Sequence, residues 1–155
     1  MERIEQRMRP EWLRPGSILL VFLGGCAGVG LREALVAMLP DAGPIPTAIL
    51  VANLLGAFLL GVLLEALIRS SGPGAARARL LLGTGMLGGF TTYSALALGV
   101  FEMSADGHAW IALAYGLATV IVGGLLSWAG IAAAVAARRG LDRRPGPQPG
   151  GGADA

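Results

Sequence analysis

Four long apolar stretches, 16–39, 46–68, 80–101 and 109–137, take up most of this 155-residue chain. About 20 mainly apolar residues make a helix that crosses a hydrocarbon layer roughly 30 Å thick, and every stretch reaches that length. Only 14% of the residues are charged, against about a quarter in soluble domains. The pattern predicts an all-α membrane protein of four transmembrane helices in one domain, 16–137. Residues 1–15 form a polar N-terminal arm, and 138–155 form an Arg-, Pro- and Gly-rich tail expected to be disordered. The arm lacks the short apolar region and small-residue cleavage site of a removable signal peptide.

The basic residues specify an orientation. All 12 are arginines. Arg3, Arg7, Arg9 and Arg14 lie in the arm, Arg69, Arg77 and Arg79 flank the second connection, and Arg138, Arg139, Arg143 and Arg144 follow the last span. The first and third connections carry Asp41, Glu102 and Asp106 instead. Arginine accumulates on the cytoplasmic side of membrane helices, so both termini and the middle connection are expected in the cytoplasm of a cell-membrane protein. The same placement argues against nucleic-acid binding, because the arginines bracket apolar spans rather than forming a soluble basic face.

Other chemistry has little support. Cys26 is alone, which excludes an intrachain disulfide, and His108 is alone in a polar connection. No CxxC, HExxH or Walker pattern is present, and no enzyme constellation is visible.

Inside the spans the informative residues are small or polar. Gly24 and Gly28, Gly56 and Gly61, and Gly85 and Gly89 recur at helical spacings. In lipid, small residues let helix backbones approach and gain van der Waals contact. Asn53 lies mid-span, where an unpartnered amide costs several kcal/mol, so it must face the bundle interior or water. Two uses fit, an interhelical hydrogen bond or a contact in a pore. The run from Gly83 to Ser94 places four glycines and five hydroxyl groups where lipid-facing sequence should be aliphatic. Adjacent Gly88 and Gly89 each disfavour helix by about 1 kcal/mol relative to alanine, which predicts a break over Gly88–Ser94. Non-helical backbone at membrane depth persists only when buried in protein or lining a cavity, so a broken helix there is a credible ion site.

In the fourth span Tyr115 and Thr119 are one helical turn apart and share a face, with Ser127 further along. Arg32 is the one arginine inside a span and must pair or snorkel. Glu33, its neighbour in sequence, should point about 100° away. A proton-coupled multidrug exporter of the small four-helix kind needs an uncompensated carboxylate deep in a span. Glu33 and Glu65 are the only candidates, and both lie toward span ends. A non-transporting bundle would account for the glycines but not for Asn53 or the Thr91–Ser94 run.

Three ordered motifs together resemble the CrcB/Fluc family of fluoride channels. Gly24, Gly25, Gly28 and Arg32 match GGxxGxxxR, and Asn53, Gly56, Phe58 and Gly61 match NxxGxFxxG. Gly85, Gly88, Gly89, Thr91, Thr92 and Ser94 match GxxGGxTTFS, with Tyr93 where phenylalanine is usual. The resemblance implies passive fluoride export, conferring fluoride resistance, through an antiparallel, dual-topology dimer with a broken third helix. It also implies a structural sodium ion at the dimer interface, held by the backbone carbonyls of Gly88 and Thr91. Asn53, Thr92, Tyr93, Ser94, Tyr115 and Thr119 would line the fluoride pore, and Gly24, Gly28, Gly56 and Arg32 would be structural.

The chain departs from that pattern where Ala95, Leu96, Ala97 and Gly99 follow Ser94. The family places threonine, phenylalanine, serine and glutamate at these positions. A homodimer with copies inserted in opposite directions needs little arginine bias, and this chain is strongly biased. A fixed-orientation subunit paired with a paralogue of opposite bias is therefore expected, the paralogue supplying the missing pore groups.

Overall fold

The computed structural model describes residues 15–68, 70 and 72–142. The arm residues 1–14, Arg69 and the tail from 143 onward, with their arginines, lie outside the described residues. Helix α1 spans Pro15–Met38 and α2 Thr47–Ile68. A short α3, Pro73–Ala78, runs directly into a π-helical segment, Arg79–Leu87, and then into α4, Gly88–Phe90. After Thr91 and Thr92 come α5, Tyr93–Ala105, and α6, Ala109–Asp142.

Three of these helices, α1, α2 and α6, are each long and apolar enough to cross a membrane. The stretch expected as a third span with a break over Gly88–Ser94 is divided into shorter pieces, and its helical structure starts at Pro73 and ends at Ala105. The connections on either side are correspondingly shorter than expected. Helix α6 continues through Arg138 to Asp142, where the sequence suggested irregular tail. Alanine and arginine are strong helix formers, and nothing before Gly140 interrupts them.

The pattern of burial suits lipid as solvent. Glycine and alanine fill much of the interior (Gly24, Gly28, Ala48, Ala52, Gly56 and Gly61 are buried). Large apolar side chains such as Ile18, Phe22, Leu64 and Val120 face outward. Contact between backbones sets the registers. A Cβ on Gly24 would lie 2.9 Å from the Met86 nitrogen, and one on Gly28 would lie 2.8 Å from the Phe90 nitrogen. Positions rising along α1 therefore meet positions rising along the π segment and α4, so the two run parallel. Gly61 meets Ser127, and Gly130 meets Phe58 and Val62, which makes α2 and α6 a second parallel pair. A larger core cluster of Leu96, Met103, Ala112 and Tyr115 joins α5 to α6.

Arginines close one end of the bundle. The last carbonyls of a helix have no partner within it. Arg79 donates to the Leu67 carbonyl and, at 3.2 Å, to that of Ser70. Arg138 donates to the Glu65 carbonyl at 2.7 Å and lies 3.7 Å from the Glu65 carboxylate. Both cations also sit favourably at the negative end of the α2 dipole. At the opposite end, Thr47 starts α2 by donating its N–H to Asp41 Oδ1 at 3.2 Å while its hydroxyl accepts from Ala42 at 2.9 Å. Gly107, with φ +84, ends α5 in the left-handed conformation that only glycine adopts cheaply.

Candidate functional site

The break expected over Gly88–Ser94 rests on the adjacent glycines, yet Gly88 and Gly89 are themselves helical. The extended residues are Thr91 (φ −82, ψ 155) and Thr92 (φ −151, ψ 120). Packing outweighs propensity at the glycines. A Cβ on Gly89 would collide with the backbone of Gly25, so only glycine permits α4 to approach α1 this closely. β-Branched threonines accept the extended conformation readily.

Two extended residues interrupt the i→i−4 ladder, and each freed group can be traced. The Thr91 N–H and hydroxyl both donate to the Leu87 carbonyl, at 3.0 and 2.9 Å. In a continuous helix Thr92 N–H would bond the Gly88 carbonyl. Here it donates to Asn53 Oδ1 at 2.8 Å, while Asn53 Nδ2 donates to the Thr92 carbonyl at 3.0 Å. One side-chain amide from α2 thus satisfies both backbone groups of Thr92. Arg32 from α1 donates through Nη1 to the Gly89 carbonyl at 3.1 Å. Thr92 then restarts the helix as its N-cap, its hydroxyl accepting from Ala95 N–H at 3.2 Å and lying 3.1 Å from Ser94 Oγ. Among the described residues no donor reaches the carbonyls of Gly88 or Thr91.

An open groove of about 320 Å³ runs beside this turn. Asn53 and Gly56 of α2, Gly88, Thr91, Thr92 and Tyr93 of the turn, and Thr119 of α6 all line it. Tyr93 is 80% exposed beside it, and Ser94 is exposed a residue further on. A Cβ on Gly56 would strike the Thr91 methyl, so this glycine lets the turn rest on α2. Thr119 is 5% exposed, and its hydroxyl donates back to the Tyr115 carbonyl at 2.7 Å. Tyr115 shares that helix face but packs in the core cluster rather than on the groove wall, and its buried hydroxyl has no partner among the described residues.

The departures from the motif also have places. Leu96 packs in the core cluster and lines the groove. Gly99 is buried against Pro46, whose Cγ would lie 2.9 Å from a Cβ at this position. Glu33 differs from expectation: its Oε1 lies 3.3 Å from Arg32 Nε, since two long side chains can bend toward each other across the 100° between their Cβ directions. Sequence reasoning missed the targets of Arg32 and Asn53, the Glu65–Arg138 pair and the role of Gly25. The GG pair in α1 facing the GG pair in α4 was the available signal for the last of these.

Fold and site define a small multi-pass membrane protein of helices with a polar turn beside an open groove. The family described as CrcB-like protein, Camphor Resistance (CrcB), matches residues 19–131. The chain is 46% identical over 124 residues to the Fluoride-specific ion channel FluC 1 of Cutibacterium acnes, covering 77% of this chain and 86% of that protein. It is 42% identical over 136 residues to the Fluoride-specific ion channel FluC 2 of Leifsonia xyli subsp. xyli, covering 85% and 94%. The chain belongs to the CrcB family.

Proposed function

We propose that this chain is a fluoride-channel subunit that lowers cytoplasmic fluoride by passive export across the cell membrane. The observation that carries the reading is the Asn53–Thr92 amide pair on the wall of the groove. It holds non-helical backbone open within the bundle and leaves the second Nδ2 proton of Asn53 available. Fluoride is small and strongly hydrated, so a path for it needs donors in place of water. Asn53, the Thr92–Ser94 hydroxyl pair and the exposed phenol of Tyr93 offer them. The rim of the Tyr93 ring is also electropositive. Tyr115, with its hydroxyl unpartnered among the described residues, and Thr119 extend the track along α6.

The broken third span, the antiparallel dimer and a structural sodium ion complete the reading. The carbonyls of Gly88 and Thr91, without a donor among the described residues, fit such an ion, since hard cations take oxygen ligands and backbone carbonyls are neutral ones. When bound at the interface of two subunits, sodium would supply positive charge that ties two turns together. Both termini are assigned to the cytoplasm, and the fixed orientation calls for a partner of opposite bias. Leu96 and Gly99 offer no polar group to the path, so the partner supplies part of it.

A proton-coupled exporter has less support. Glu65 faces Arg138 and Glu33 faces Arg32, which leaves neither carboxylate uncompensated.

Fluoride efflux from liposomes, followed with an electrode, tests the proposal. The chain reconstituted with a co-expressed paralogue of reversed arginine bias should release fluoride rapidly and chloride not at all. The chain alone should release little. Rapid efflux from the chain alone would remove the paired-subunit reading, and no efflux with any such partner would remove the fluoride reading.

A further inference from the structure

A carbonyl in a planar peptide shares its plane with the next residue's N–H, and in the trans form the two point in opposite directions. The Thr91 carbonyl therefore belongs to the same rigid unit as the Thr92 N–H. That N–H is fixed on Asn53 Oδ1 at 2.8 Å, so Asn53 aims the Thr91 carbonyl away from α2. On the other side of the turn, Gly88 and Gly89 are successive residues with no side chain of their own to restrict the backbone. The Gly89 carbonyl is fixed by Arg32 Nη1 at 3.1 Å. This tether limits rotation at Gly89 and occupies the carbonyl next to that of Gly88. Two neighbouring helices thus grip this segment at Gly89 and at Thr92, and each of the two carbonyls without a donor among the described residues is the neighbour of a gripped group.

We infer that Asn53 and Arg32 are the positioning residues of a small-cation site at the Gly88 and Thr91 carbonyls, each acting through a peptide plane of the turn between α4 and α5. The inference rests on the sodium-binding part of the proposed function. It gives Asn53 a second task besides offering a proton to the anion path, because one side chain orients the cation's ligand and touches the groove. It also accounts for Glu33. A guanidinium beside a cation site repels the ion, and the Glu33 carboxylate, 3.3 Å from Arg32 Nε, offsets that charge. Removing groups that orient metal ligands commonly weakens binding by about 10–100-fold.

The test reads cation binding rather than transport. The full chain, purified in detergent alone and with its co-expressed partner, is unfolded thermally while sodium chloride replaces N-methylglucamine chloride at constant ionic strength. The wild-type chain should gain stability with sodium, defining a half-maximal concentration. Asn53→Leu and Arg32→Gln should raise that concentration by about tenfold or more. Asn53→Asp, which keeps an acceptor for Thr92 N–H, and Arg32→Lys, which keeps a cationic donor, should stay closer to wild type. Glu33→Gln leaves both grips in place and should raise it through unmasked charge. Asn53→Asp should at the same time suppress fluoride efflux, separating the two tasks of the residue. An unchanged sodium midpoint in folded Asn53→Leu or Arg32→Gln protein would overturn the inference. If neither folds, an unchanged midpoint in Glu33→Gln together with a tenfold shift in Asn53→Asp would do so. Absence of any sodium effect in wild type would overturn the cation site itself, leaving the fluoride reading to the efflux measurement.

Discussion

An amide or hydroxyl in a membrane span has to replace what water would have given the backbone. Thr92 and Asn53 do this together. Asn53 accepts from and donates to the Thr92 peptide groups, and the Thr92 hydroxyl caps α5 by accepting from Ala95 N–H. Loss of an N-cap side chain costs about 1 kcal/mol. Thr92→Val keeps the shape and the extended preference but removes the oxygen, so it should lower stability by about that amount. Thr92→Ser should lower it less, and thermal unfolding in detergent compares them directly. Asn53→Leu orphans one N–H and one carbonyl, each worth about 1–3 kcal/mol when buried without a partner. It should be the more damaging change, by about 2–4 kcal/mol in the same assay. The presence of a polar turn could be read from the sequence, since Asn53 and the threonine run are anomalous at membrane depth. That they meet each other could not be, because positions 53 and 92 come together only through the packing of α2 on the turn.

Helix α1 and the π segment with α4 form an element whose spacing is set by glycine alone. Glycine lowers helix propensity by about 1 kcal/mol, yet Gly24, Gly28 and Gly89 sit in helices because any side chain would meet backbone there. Gly30 is different, since a Cβ on it would meet nothing within 4 Å. Gly30→Ala should therefore stabilise by about 0.5–1 kcal/mol through propensity. Gly28→Ala should destabilise despite the same gain, because α1 must move off Met86 and Phe90. Melting temperatures of the two variants should shift in opposite directions, and a shared direction would mean that the close approach is not what holds the pair. The apolar stretches made helices at α1, α2 and α6 legible from hydropathy. The extended residues fall within the expected Gly88–Ser94 stretch, but which of its residues they are was not legible, because low propensity marks Gly88 and Gly89 while packing decides their conformation. The shared face of Tyr115 and Thr119 followed from helical spacing. The direction of the Thr119 proton, onto its own helix, did not.

Among the described residues, Arg77, Arg79 and Arg138 gather at one end of the molecule in space as well as in sequence. Arg79 and Arg138 both close the end of α2, and the first turn of α1, at Gly16 and Ser17, lies beside Ala76 and Arg77. Asp41 is at the other end, where α2 begins, and Glu102 and Asp106 lie at the end of α5. On α6, Trp110 and Trp128 are both exposed, and the helix rise sets them about 27 Å apart. That is close to the thickness of a hydrocarbon layer, as expected of aromatic residues at its two interfaces. An arginine-free end is the one that crosses during insertion, so a single orientation with the C-terminus inside should dominate. Fusions after Ala155 measure it. A green fluorescent protein fusion should fluoresce and an alkaline phosphatase fusion should be inactive, since each reporter works on one side only. Comparable signals from both would show insertion in two directions, which would permit a homodimer and remove the need for a partner of opposite bias. Adding arginines to the connection at 40–44 while replacing Arg77 and Arg139, which make no hydrogen bond or ion pair among the described residues, should shift the reporters toward that mixed outcome. The capping contacts of Arg79 and Arg138 would stay intact, so a shift would report charge bias rather than a damaged bundle.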